Sequence, residues 1–149
     1  MTPLLVYTLI THVMTGILAI GLVHLVFMHF LKKAPSWKYL QALSGWSVIL
    51  FLVSWATSAF YYVTYYGKAV KPKIMGGAYP WAHQVFMEAK EHVFVLLPFL
   101  TLALWLMIRL LAKEQDEKLK KAAMFVAFIT LSLGAFIALS GILISGAVR

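Results

Sequence analysis

Residues 81–108 read WAHQVFMEAKEHVFVLLPFLTLALWLMI, and they decide the fold. The sixteen residues after His92 carry no charge and are almost all apolar. A run of that kind belongs in a bilayer, which asks for about 20 apolar residues per crossing helix. The twelve residues before it differ. His83, Glu88, Lys90, Glu91 and His92 stand together at the mouth of this helix. Ionisable groups at or inside a membrane are expensive, so this mouth is the first candidate site.

The rest of the chain repeats the apolar pattern. Of 149 residues, 62% are hydrophobic and 12% charged. A soluble domain is nearer half apolar and a quarter charged, so the excess faces lipid. Four segments are long enough to cross: about 4–31, 39–66, 80–112 and 122–146. Lys32-Lys33 stops the first. Ala34-Pro35-Ser36 is a tight turn, because proline and the residue before it resist helix. Gly67 to Tyr79 reads as a loop with three lysines, Pro72 and Gly76-Gly77. Pro80 suits the first position of the third helix. Lys113 to Lys121 is a short charged connection. No linker is long enough for a second domain and no repeat is present. The expectation is an all-α membrane protein: one transmembrane domain over residues 1–149, an up-down bundle of four helices. No basic n-region with a cleavage site marks a signal peptide.

Charge sets the expected orientation. One side carries Lys32, Lys33, Lys38, Arg109, Lys113, Lys118, Lys120 and Lys121; the other carries Lys68, Lys71, Lys73, Lys90 and Arg149. Basic residues concentrate in cytoplasmic loops, so both termini and the His/Glu mouth are expected outside. The expected setting is the cytoplasmic membrane of a prokaryote. The net charge of +8 does not indicate nucleic acid, because the lysines flank the membrane segments. With no cysteine, disulfides, thiolate metal sites, iron–sulfur clusters and covalently attached haem are excluded.

Small and polar residues mark the faces expected to point inward. They are Thr8, Thr11, His12, Thr15, Gly16 and Ala19 on the first helix, and Ser47, Ser54, Ser58, Tyr61 and Tyr65 on the second. On the fourth they are Ala127, Thr130, Gly134, Ala138, Gly141 and Ser145, a stripe that lets helices approach closely. Trp37 at one boundary, and Tyr61, Tyr62, Tyr65, Tyr66, Tyr79 and Trp81 at the other, read as interface anchors.

On a wheel of 100° per residue, Gln84, Glu88, Glu91, His92 and Val95 share one side of the third helix. His83, Met87, Lys90 and Phe94 share an adjoining side. His83 and His92, nine apart, point in opposite directions. Pro98 is expected to kink this helix and free a backbone carbonyl. A solvated helix start accounts for His83 and Lys90, but less well for His92, which opens the apolar run. His12 lies about a third of the way into the first helix. It either bonds a neighbouring hydroxyl or serves as a ligand. His12 and His92 at similar depth are two imidazoles on separate helices, as a b-type haem requires. The same His12 with Glu88, Glu91 and His92 offers an oxygen and imidazole set for iron, manganese or zinc. His24 and His29, five apart, cannot clamp one small ion together. His29 beside Lys32 reads as interfacial. His24 is a packing histidine, or joins His83 and Lys90 in a proton or quinone path. No phosphate-cradling glycine loop, HExxH or Cys/His arrangement is present.

Short hydrophobic helices with scattered in-membrane histidines resemble the small four-helix membrane cytochromes of the b561 type. The resemblance lies in the architecture and implies haem b, quinol and electron transfer. Those proteins carry histidines on more helices; here only the first and third have any. Three functions are therefore expected in turn: a haem protein of electron transfer, with quinone as a possible partner; a non-haem metal or ion site; and an accessory subunit of a larger membrane complex or homo-oligomer.

Overall fold

The four apolar segments are hydrophobic on every face, and the positions buried between them step by three and four. The computed structural model describes residues 1–32, 34–114 and 116–148. Lys33 and Arg149, counted in the charge asymmetry, lie outside the described residues. The elements are α1 (Pro3–Phe30), α2 (Trp37–Tyr61), a π-helical segment π1 (Tyr62–Val70), α3 (Lys71–Met75), a second π-helical segment π2 (Ala82–Met87), α4 (Glu88–Glu114) and α5 (Glu117–Gly146). Among the described residues none is in a strand. Four continuous rods result, α1, α2–π1–α3, π2–α4 and α5, each long and apolar enough to cross a membrane.

The rods pack in chain order around a ring, with α1 against α2, α2 against α4, α4 against α5, and α5 back against α1. Fully buried positions step by three and four: Ala19, Val23, Val26 and Phe30 on α1; Leu40, Ser44, Ser47, Phe51 and Ser54 on α2; Phe94, Leu97, Thr101, Leu104, Ile108 and Leu111 on α4. This near-heptad period keeps one seam facing inward along nearly parallel helices. Buried hydroxyls return to their own helix. Ser44 Oγ donates to the Leu40 carbonyl at 2.7 Å, Thr101 Oγ1 to Leu97 at 2.9 Å and Thr130 Oγ1 to Val126 at 2.8 Å. Polar side chains with no water nearby are satisfied in this way without leaving the seam.

The seam on α5 runs Ala123, Ala127, Thr130, Gly134, Ile137, Ser140 and Ile144. It departs from the expected small-residue stripe, since Ala138 and Ser145 are exposed. Gly134 is where closeness is greatest: a Cβ there would stand 2.9 Å from Ile20 Cγ1.

Three boundaries differ from the sequence expectation. The second rod does not end near Tyr66 but winds on to Met75. Pro72 falls in the first turn of α3, just after Lys71, whose N–H makes the last π-type bond of π1 to the Tyr66 carbonyl. The third rod starts at Ala82, with the Pro80 carbonyl accepting from the His83 and Gln84 N–H groups. α5 starts at Glu117, five residues before the expected Ala122. The cause is Asp116, whose Oδ1 accepts from Lys118 N at 2.7 Å and Leu119 N at 3.4 Å. Asp116→Ala is expected to cost about 1 kcal/mol, the usual worth of an N-cap, read as a lowered melting temperature. Asp116 is exposed, so the loss isolates the cap.

A second, smaller core closes one end of the bundle around Tyr66, Ile74, Ala82 and Ile144. Tyr61 Oη lies 4.0 Å from the Met1 sulfur, and Ala147 packs on the same cluster. Both chain ends therefore sit at this end, where π1 and π2 also are.

Candidate functional site

Buried hydroxyls run the length of the bundle, but the ionisable side chains turned toward its interior, His12, His83, Lys90 and Glu91, lie in the terminal half, in three parts. The first joins α1 to α2. His12 Nδ1 lies 3.0 Å from the Ser54 backbone oxygen and 3.0 Å from Ser54 Oγ, and Ser54 Oγ donates to the His12 carbonyl at 2.9 Å. Gly16 makes the room, because a Cβ there would stand 3.1 Å from Ser54 Oγ. The other side of the imidazole meets the Phe94 ring edge-on, with centroids 5.5 Å apart.

The second part is a cleft of about 200 Å³ between the second and third rods. Trp55, Ser58 and Tyr62 line it on one side, and Lys90, Glu91 and Val95 on the other. Its polar floor is unusual. Glu91 Oε1 is buried and has no hydrogen-bond partner among the described residues. Lys90 is half-buried, and its Nζ reaches across the bundle to 3.4 Å from where a Cβ on Gly141 would stand. Among the described residues no carboxylate lies within the 4.0 Å of an ion pair with it. A buried polar atom without a partner costs about 1–3 kcal/mol, more for charged groups.

The third part is built by the π-helical winding. In a π-helix, hydrogen bonds run from i to i+5, so residues five apart return to one face. His83 and Glu88 are five apart, and His83 Nε2 lies 3.5 Å from Glu88 Oε1. His83 is 2% exposed and the Glu88 side chain 47%, so the pair runs from the interior to the surface. His83 Nε2 makes no proper hydrogen bond. Its Nδ1 lies 3.1 Å from Tyr66 Oη. Tyr66 stacks on Tyr62, with centroids 5.2 Å apart and planes 21° apart, and Tyr62 lines the cleft with Glu91.

The other expected site residues fall elsewhere. His92 is exposed, its Nδ1 held by the Glu88 carbonyl of its own helix at 2.6 Å. It stands two residues, or about 200° of turn, from the Phe94 that faces His12. His92 thus lies on a different face of α4 from the Phe94 that meets His12. Among the described residues, no three His, Asp or Glu side chains gather as a metal-holding group. His24 is exposed on the outside of α1. His29 closes the α1–α2 turn, its Nε2 accepting the Ser36 N–H at 3.2 Å, with Tyr39 beside the ring. A larger hollow of about 480 Å³ lies there, but it is an open surface dish beside Lys32 with no unpartnered buried group.

Tyr66, Tyr62 and Trp55 are the members of the site that sequence reading did not single out as functional. The signal for the tyrosines is their i, i+4 spacing beside His83, which interface anchoring equally explains. Compared with protein-family models, curated proteins and solved structures, the chain matches none.

Proposed function

We propose that this chain is an integral membrane protein that binds a quinone-class ligand, entering from the lipid phase, in the cleft between the second and third rods. One observation carries the reading: Glu91, which lines a mostly apolar cleft together with Lys90, holds a buried carboxylate oxygen that has no hydrogen-bond partner among the described residues. A quinone carbonyl accepts a hydrogen bond from the Lys90 ammonium, and a quinol hydroxyl donates one to Glu91. A ligand with an aromatic head also suits Trp55 at the rim, where aromatic pairs add about 0.5–1.5 kcal/mol beyond their buried area. Ligand sites are typically apolar clefts with a few convergent polar groups, and this cleft has that composition.

The test is quenching of Trp55 fluorescence by a short-chain benzoquinone, with Trp55→Phe identifying the signal. Lys90→Ala and Glu91→Ala are each expected to weaken binding about tenfold or more, the equivalent of about 1.4 kcal/mol. Wild-type affinity in both variants would remove the reading.

A further inference from the structure

At the other end of the bundle from the cleft, the α1–α2 turn carries the hollow of about 480 Å³ lined by Leu25, Met28, His29, Lys32, Ser36 and Tyr39. We infer that this hollow holds the headgroup of an anionic glycerophospholipid, whose acyl chains run along Leu25 and Met28. The site shares no residue with the cleft and stands on separate observations.

The lining has the polarity of a lipid. Leu25, Met28, His29 and Lys32 follow the spacing i, i+3, i+4 and i+7, so they form one stripe along α1 and the turn after it. Leu25 and Met28 are 44% and 48% exposed, an apolar rail on the outside of the bundle. Lys32 comes about 10 Å farther along the axis, where the apolar span ends. Each polar group there offers a donor. The Lys32 ammonium can only donate. His29 Nε2 accepts the Ser36 N–H at 3.2 Å, so the proton of the neutral ring sits on Nδ1, and that nitrogen is the donor left for a ligand. Ser36 is the N-cap residue of α2, yet its side chain makes no capping bond, which leaves the hydroxyl uncommitted to the helix. The first turn of α2 holds no acidic residue, so the positive end of its dipole adds to the same field.

None of the six lining residues is a carboxylate. The acids at this end of the bundle, Glu114, Asp116 and Glu117, border the α4–α5 connection instead. The hollow therefore attracts a phosphate but offers no anion to a choline or ethanolamine group, and that selects a headgroup of net negative charge. A solvated lysine past a helix end needs no hollow. Here donors from two helices converge with a lipid-facing apolar rail.

The test titrates the full chain, in mild detergent, with dioleoyl phosphatidylglycerol or dioleoyl phosphatidylcholine and reads bound lipid by native mass spectrometry. Wild type is expected to hold phosphatidylglycerol about fivefold more tightly, the scale of one basic residue at a bilayer surface. Lys32→Gln is expected to abolish that preference and Lys32→Arg to keep it. Lys32 is exposed and lies past the last turn of α1, so neither change disturbs the packed seam. Lys118→Gln removes another exposed charge from the same end of the bundle and is expected to leave the preference in place. The nitrogen-15 resonance of His29 Nδ1 should move with phosphatidylglycerol and stay with phosphatidylcholine. Equal affinity for the two lipids overturns the inference. An equal loss in Lys32→Gln and Lys118→Gln also overturns it, because the attraction then belongs to the basic surface at large. Displacement of the lipid by millimolar inorganic phosphate makes a free anion the occupant, and a lipid-free dimer that excludes phosphatidylglycerol makes the hollow a contact between copies; either result removes the lipid site.

Discussion

Gly134→Leu is expected to separate α5 from α1 and to lose several kcal/mol of stability. A single Cβ at this position already stands 2.9 Å from Ile20 Cγ1 and 3.1 Å from Ile20 Cδ1. A leucine adds three further carbons to that gap. Overpacking a filled core costs about 1–3 kcal/mol, occasionally more, and the higher end applies where both partners are on rigid helices. Helices in lipid associate through close packing of this kind and not through exclusion of water, so a gap opened here is felt along the α1–α5 seam, where Phe27 also meets Phe128. The measurement is a thermal or denaturant melt in detergent, followed by helical circular dichroism. Gly21→Leu is the control, because a Cβ on Gly21 meets nothing within 4 Å. A melt of Gly134→Leu matching that control would show that the α1–α5 seam contributes little.

The pattern of Gly134 was legible in the sequence, and so was most of the bundle. The apolar runs, the tight turn at Ala34-Pro35-Ser36 and the small-residue stripe all report local requirements that a window of residues contains. What stayed hidden depends on the winding of the backbone. A wheel drawn at 100° per residue separates His83 from Glu88 by about 140°, whereas the π-helical turn places them 3.5 Å apart. The same limitation put a loop at Gly67, where the helix runs on through π1 to Met75. Gly67, Lys68 and Pro72 have the composition of a loop; the small core around Tyr66 and Ile74 overrides it. His12 and His92 show the complementary limit. Their depths were legible from position, but their rotations depend on which residue of α4 meets α1, and that residue is Phe94. Asp116 was legible and went unread, since an Asp-Glu pair ahead of a long helix is an ordinary N-cap signal.

Lys90 and Glu91 supply the second large effect, and here stability and function should move in opposite directions. A leucine at 91 removes a buried carboxylate oxygen that has no partner among the described residues, and a methionine at 90 removes an ammonium with no carboxylate among them within ion-pairing distance. Both replacements keep similar volume and are apolar. Replacing unsatisfied or poorly paired buried groups by apolar ones is often neutral or stabilising by about 1–4 kcal/mol. The double variant Lys90→Met/Glu91→Leu is therefore expected to melt higher than wild type while losing benzoquinone binding altogether. Residues retained merely to hold the bundle together behave otherwise, because their loss lowers the melt. If the double variant is less stable than wild type, Lys90 and Glu91 are structural partners in the folded bundle, and the cost inferred from their isolation is not there. If it is more stable and still binds, the ligand site lies elsewhere. A higher melt together with lost binding is the combination expected of a site where stability is given up for a ligand, since the groups that the empty cleft leaves unsatisfied are those the ligand would satisfy.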